Sequence, residues 1–257
     1  MEYKDQLYRV LNIPKTPSRI VSLVPSQTEL LVDLGLRKKL VGITKFCVHP
    51  ESLRSEVAVV GGTKTIHLDR IQQLSPDIII CNKEENTAEM VEQLSSIAPV
   101  WVSDIYSVAE SLGMIKMLGE LLNVSEKSSE LIVGIKNEMQ SFQEFMRAKP
   151  LMKAVYIIWK NPYMAAGKNT FINELLRLNN FENIALDYNS RYPEISVDKM
   201  KEANVVLLSS EPFPFKENDV LLLQEELGVK VKLVDGEYFS WYGSRLQEAF
   251  SYFKTLH

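Results

Sequence analysis

Ser125-Glu-Lys-Ser-Ser-Glu-Leu-Ile-Val-Gly-Ile-Lys-Asn-Glu-Met-Gln-Ser-Phe-Gln-Glu-Phe-Met-Arg147 holds no strand-like run. Its apolar residues Leu131, Ile135, Met139, Phe142 and Met146 recur at steps of four, four, three and four. Those steps trace one stripe of a single helix. At about 1.5 Å per residue that helix is roughly 35 Å long, enough to bridge two domains. Asn123 and Glu126 suit its start, and Pro150 stops it soon after.

On either side the pattern changes. Strand candidates are Ile20–Val24, Leu40–Thr44, Asp77–Cys81 and Val100–Ser103 before the helix, then Ala154–Trp159, Val205–Ser209 and Val229–Val234 after it. Between them run helical patterns at Thr28–Leu34, Thr87–Ile97, Val108–Leu122 and Phe171–Leu178. Strands separated by helices give parallel sheets covered on both faces. The expected fold is therefore α/β, with an N-terminal lobe (1–122), a connecting backbone helix (123–149) and a C-terminal lobe (150–257). The halves also echo each other. Leu68-Asp69-Arg70-Ile71, a run from Asp77 to Ile80 and Glu84 are repeated as Val197-Asp198-Lys199-Met200, Val205–Leu208 and Glu211. Each copy reads as an acidic helix start, a buried strand and a glutamate in the loop beyond, as in duplicated lobes.

Composition narrows the function. The chain has 257 residues, 46% hydrophobic and 24% charged, and a net charge of -4. A mildly acidic chain with scattered Lys and Arg has no electrostatic footprint for nucleic acid or an anionic membrane. No run of about 18 apolar residues exists, so no membrane span is expected. The start of the chain, Met1-Glu-Tyr-Lys-Asp, lacks the apolar core of a secretory signal. As written the chain is expected in the cytoplasm; a chain trimmed of its leader reads the same and belongs in the periplasm or on a membrane anchor. Cys47 and Cys81 fall in or beside apolar runs and read as reduced, buried thiols.

Enzyme motifs are missing. Gly167-Lys168-Asn169-Thr170 resembles part of a phosphate loop, but Pro162 stands where its first glycine must be and Asn169 replaces its hydroxyl residue. No GxGxxG, GxSxG or HExxH occurs. On a strand, Cys47 and His49 would share a face and could offer a metal two ligands, but no second pair completes a site. A packed cysteine beside a polar histidine is the simpler reading.

Aromatics and acids gather instead in the loops after strands. Phe46 and His49 follow the second strand, and Glu84 the third. Trp159 and Tyr163 follow the first strand of the second half; Tyr192 precedes the Asp198 helix; Glu211 and Phe213 follow a buried strand; Trp241, Tyr242 and Arg245 follow the last. Ser26 and Glu29 have capping-box spacing, so a helix starts there at the carboxyl end of a strand, where open α/β sheets hold ligands. Such loops suit a cleft for a large, partly apolar ligand. Trp159, Tyr192 and Trp241 are expected to form one flat wall. Glu84, Glu211 and Arg245 would fix polar groups or a metal.

Several of these residues carry a family resemblance. Arg19-Ile-Val-Ser-Leu-Val-Pro-Ser-Gln-Thr-Glu29, Gly42-Ile-Thr-Lys-Phe-Cys-Val-His-Pro50 and Gly61-Gly-Thr-Lys64 look like the vitamin B12 and ferric-siderophore binding proteins of ABC importers. So do the Asp69 and Asp198 helix starts. Within that family, Lys83-Glu-Glu-Asn86, Glu211-Pro-Phe-Pro-Phe215 and Ser240-Trp-Tyr-Gly-Ser-Arg245 resemble the leaderless branch described as helical-backbone metal receptors or cobalamin-binding-like proteins. The resemblance implies two Rossmann-like lobes, a rigid helix between them and a shallow interlobe cleft with little closure. It implies that Asp69 and Asp198 dock on arginines of an ABC permease and that Tyr192 stacks on a corrinoid. The chain departs from the importer pattern at Thr63-Lys64, where a corrinoid-contacting tryptophan can stand; Lys64 is a further ligand candidate. The expectation is thus a monomeric binding protein, not an enzyme, with no intrinsic cofactor. Its ligand is a corrinoid or a ferric siderophore or other metal chelate. The alternatives are an enzyme acting on a tetrapyrrole or chelate through His49, Cys47 and Glu84, and a cytoplasmic carrier or sensor.

Overall fold

A computed structural model describes all 257 residues. The chain divides into two compact units: unit 1 comprises Met1–Ile105, Ala109–Lys136 and Tyr242–Arg245, and unit 2 the remainder. The connecting helix passes from unit 1 to unit 2 at Lys136.

In unit 1 a hairpin of β1 (Glu2–Lys4) and β2 (Val10–Asn12) precedes five parallel strands, β3 (Ile20–Ser22), β4 (Leu40–Ile43), β5 (Ala58–Val59), β6 (Ile78–Asn82) and β7 (Val100–Ser103). Their order is β5-β4-β3-β6-β7. Every residue of β6 is buried, as parallel strands covered on both faces require. The covering helices are α1 (Pro25–Asp33), α2 (Leu53–Glu56), α3 (Leu68–Gln73), α4 (Ala88–Ser95) and α5 (Val108–Leu121). One core cluster joins Val21, Leu23, Ile79 and Cys81 to Leu94, Val100 and Val102. The hairpin shields the β7 edge: Gln6 N–H donates to the Val102 carbonyl at 3.2 Å, and the buried Asp5 carboxylate accepts from Val102 N–H at 3.3 Å. An edge strand without such cover is open to pairing with another chain.

The long helix, α6, runs Ser125–Met146, one residue short of the expected end. Its start differs from the expectation. Asn123 has φ of 58°, a left-handed position that ends α5, where Val124 N–H donates to the Gly119 carbonyl at 2.8 Å. Asn tolerates that conformation, so it closes one helix instead of capping the next. The first bond of α6 runs from Ser128 N–H to the Val124 carbonyl.

Unit 2 contains β8 (Met152–Trp159), β9 (Met164–Ala165), α7 (Phe171–Leu178), β10 (Phe181–Asn183), α8 (Val197–Met200), β11 (Val205–Ser209), α9 (Glu217–Leu227), β12 (Lys230–Val234), α10 (Gly236–Ser240) and α11 (Leu246–Lys254). The sheet order is β10-β8-β11-β12, all parallel, with β9 antiparallel on β8. The two units are Rossmann-like lobes with mostly parallel sheets, joined by one backbone helix. The Gly167–Thr170 loop is a helix cap: the Thr170 hydroxyl accepts from Asn173 N–H at 3.1 Å at the start of α7.

Candidate functional site

Because the strands of each sheet are parallel, their carboxyl ends share one edge, where the loops carrying the candidate residues begin. In unit 1 the first of these loops leads directly into α1. Pro25 occupies the first helical position and Val24 precedes it without a side-chain cap. The expected Ser26–Glu29 capping box therefore does not form: proline presets the first turn, and Ser26 becomes the second helical residue. Ser26, Gln27 and Thr28 are all turned inward, at 5%, 0% and 0% exposure. Gln27 Nε2 donates to Ser103 Oγ and, at 3.3 Å, to the Tyr242 phenol. Ser103 Oγ also accepts from Asn82 Nδ2 at 3.0 Å. Tyr242 hydrogen-bonds Ser26 and Ser103 as well, and burial pushes its phenol well up. Glu29 takes a forked pair from Arg245, 2.9 and 2.5 Å, with both side chains largely buried.

Beyond β6, Asn82 Oδ1 accepts from Glu84 and Glu85 N–H at 2.8 and 3.1 Å, which folds Lys83–Asn86 into a tight loop. Asn86 ties that loop to the Thr63 carbonyl at 2.9 Å, and Lys64 Nζ donates to the Glu84 carbonyl. Lys64 and Glu84 are thereby brought together. Burial pushes the neighbouring Glu85 carboxyl up, against the pull of Lys64. Phe46 stays 49% exposed, with Lys45 Nζ 5.0 Å from its ring centre.

The strand argument for a Cys47–His49 pair fails, because β4 ends at Ile43 and both residues lie in the loop beyond. Cys47 is fully buried, its Sγ 3.1 Å from Thr28 Oγ1 and 3.3 Å from Thr44 Oγ1, and burial pushes its thiol up. His49 is half-buried. Cys81 is buried too, its thiol pushed up to about 12. No group of three or more His, Cys, Asp or Glu side chains is placed to hold a metal ion.

In unit 2, Trp159 ends β8 and meets Phe213 edge-on at 5.6 Å, and Phe213 lies 4.6 Å from Phe215. Tyr163 and Phe213 pack on the core cluster that contains Phe215. Trp159 is 42% exposed but Trp241 only 7%, so the two do not present equal faces of one wall. The Trp241 indole is turned to a carboxylate: Glu211 Oε1 accepts from its Nε1 at 3.0 Å and from Ser240 Oγ at 2.5 Å. Glu211 is pushed up by burial, with Glu237 and Asp235 adding to the shift. Tyr192 is half-buried, and the Arg191 guanidinium stands over both its ring and that of Tyr106, at 5.7 and 5.3 Å. Asp69 and Asp198 are exposed in the first turns of α3 and α8. Neither is the cap residue, which is His67 in one case and Ser196 in the other.

Gln27, Asn82 and Ser103, which form a buried polar layer in unit 1, and Arg191 with Tyr106 in unit 2, are not among the residues singled out by sequence. Asn82 and Ser103 had a signal: each is the polar last residue of an otherwise apolar strand.

The model of the periplasmic binding protein family matches residues 20–210. This chain belongs to that family. The periplasmic binding protein fold extends across the chain: a periplasmic vitamin B12 binding protein of Vibrio cholerae superposes with a TM-score of 0.82 over 94% of this chain and 97% of its own, at 20% identity. An ABC transporter substrate-binding lipoprotein of Bacillus subtilis is 30% identical over 185 residues, 69% of this chain; the matched stretch spans 58% of that lipoprotein's length. A vitamin B12-binding protein of Vibrio vulnificus is 26% identical over 71% of this chain and 67% of its own. The family is one of binding proteins. No helix of the chain is long and apolar enough to cross a membrane.

Proposed function

We propose that this chain captures a bulky corrinoid or metal chelate for an ABC-type importer, using aromatics in loops at the carboxyl ends of its strands. The carrying observation is the exposure of Phe46 and Trp159, at 49% and 42%, beyond β4 and at the end of β8. Aromatics of like size, such as Phe142, Phe239 and Phe250, are fully buried. Leaving a large ring in water forgoes on the order of 1 kcal/mol or more of burial, which a planar apolar ligand restores. The likeness to a vitamin B12-binding protein supports a corrinoid as the first ligand to try. The remaining ligand candidates divide by exposure. Phe46, Lys64 and Trp159 are exposed, His49, Glu84, Tyr163, Tyr192, Glu211, Phe213 and Arg245 are partly buried, and Ser26, Trp241 and Tyr242 are buried.

Catalysis through Cys47, His49 and Glu84 is disfavoured by the Cys47 thiol. A nucleophilic or metal-binding cysteine works as the thiolate, and burial drives this one the other way.

The test is a fluorescence titration with cyanocobalamin and, separately, ferric siderophore and haem. Saturable tryptophan quenching by one of them supports the proposal. Trp159→Ala should then weaken that ligand about tenfold, with far-UV circular dichroism unchanged. Absence of quenching by all three ligands sinks it.

A further inference from the structure

The amino end of α1 is buried and leaves hydrogen-bonding groups of both kinds unsatisfied. No side chain caps it, and its first backbone bond is Thr28 N–H to the Val24 carbonyl at 2.9 Å. The amides of Ser26 and Gln27 lie ahead of that bond, so the helix leaves them as donors. Beside them Gln27 is 0% exposed, and its Oε1 has no hydrogen-bond partner. Ser244 Oγ is a second buried atom without a partner, in a residue 8% exposed. Buried polar atoms are nearly always paired, and leaving one unpaired is costly. Reversing the Gln27 amide does not help, since it leaves Nε2 unpaired instead.

What covers the site is the segment Tyr242–Arg245. The Tyr242 phenol rests on Gln27, Ser26 and Ser103. Gly243 has φ of 104°, and a Cβ there would come within 3.4 Å of Leu30 Cβ, so the segment lies flat on α1. Its ends are tied by Gly243 N–H to Ser111 Oγ at 3.0 Å and by Arg245 to Glu29.

On the reading that the ligand is a corrinoid, we propose that the α1 amides and Gln27 Oε1 receive a primary carboxamide of the ligand rim, which displaces the Tyr242 phenol. A carboxamide oxygen accepts from the helix amides while its NH2 donates to Gln27 Oε1. A carboxylate accepts from the helix amides but cannot donate to the Gln27 Oε1, which would face it unpaired. An ammonium donates but faces the amide hydrogens. An apolar group satisfies neither.

The experiment compares two corrinoid probes by tryptophan quenching: dicyanocobinamide, whose rim carries primary carboxamides, and dicyanocobyrinic acid, whose rim carries carboxylates. The parent should prefer the amide probe by about tenfold or more, one buried hydrogen bond and the repulsion it avoids. Gln27→Met, of similar length and without an acceptor, should cut affinity for the amide probe by about tenfold and narrow the preference. A parent that binds both probes equally overturns this proposal while leaving the corrinoid reading intact. A parent that binds neither overturns both. A folded Gln27→Met protein with undiminished amide affinity shows that Oε1 is satisfied otherwise, by a buried water, and also overturns it. Should that variant lose its native circular dichroism, the preference of the parent decides alone.

Discussion

Glu29 and Glu211 are carboxyls that burial pushes up from the ordinary glutamate value, and their partners differ in kind. Glu29 is held by the Arg245 guanidinium, the two side chains 16% and 10% exposed. Removing one partner of such a pair strands the other charge in a poor solvent. Glu29→Gln should therefore destabilise unit 1 by about 3 kcal/mol in urea unfolding at neutral pH. A loss under about 1 kcal/mol would mean that solvent screens the pair as it screens surface pairs. Glu211 has only neutral donors, Ser240 and Trp241, and acidic neighbours in Glu237 and Asp235. Its folded-state value lies above its unfolded one, so folding favours the protonated form. The stability it contributes is present at low pH and is lost as pH rises through the folded value. Glu211→Gln keeps the acceptor and removes the charge. Its melting temperature should match the parent's near pH 4 and exceed it near pH 7.5; a lower value at pH 7.5 would contradict the assignment.

Among the elements, those with strong period were legible before the structure. Val100–Ser103, Val205–Ser209 and Phe171–Leu178 coincide with β7, β11 and α7, and the long stripe with α6. Buried parallel strands and single-stripe helices announce themselves because one face, or both, must be apolar. The β1–β2 hairpin was not legible: its strands are three residues each, and what holds it is the buried Asp5 carboxylate, a long-range contact with β7. The α1 start was misread because Pro25 outranked Ser26 as the entry residue. In the site, loop aromatics were visible by position, but their exposure was not. Trp159 and Trp241 look alike in sequence, and only the partner of Trp241, a glutamate 30 residues away, explains its burial. The stripe of α6 also makes a stability prediction. Phe142 is fully buried, 5.7 Å from Phe250 and 5.9 Å from Phe253 in unit 2. Phe142→Ala should cost about 3–5 kcal/mol in chemical denaturation, and a cost under about 1 kcal/mol would show that this part of the stripe is not core.

At the scale of the whole molecule, the duplication read from Asp69 and Asp198 is present in each unit as a short helix followed by a fully buried strand, β6 or β11. Both acids are exposed and neither caps its helix, so their place in the fold supports the proposed docking on cationic side chains of a permease. The double variant Asp69→Asn, Asp198→Asn should keep ligand affinity within about twofold and lose permease association in a pull-down, since exposed first-turn charges add little to folding. A drop in ligand affinity would move these residues into the binding site. The central claim, capture of a corrinoid or chelate by aromatic loops, is tested most directly by quenching of Trp159. Titration of the parent and of Trp159→Ala with cyanocobalamin, ferric siderophore and haem should show saturable quenching by one ligand, weakened about tenfold in the variant. No quenching by any of the three, or equal affinity in a folded variant, would contradict it.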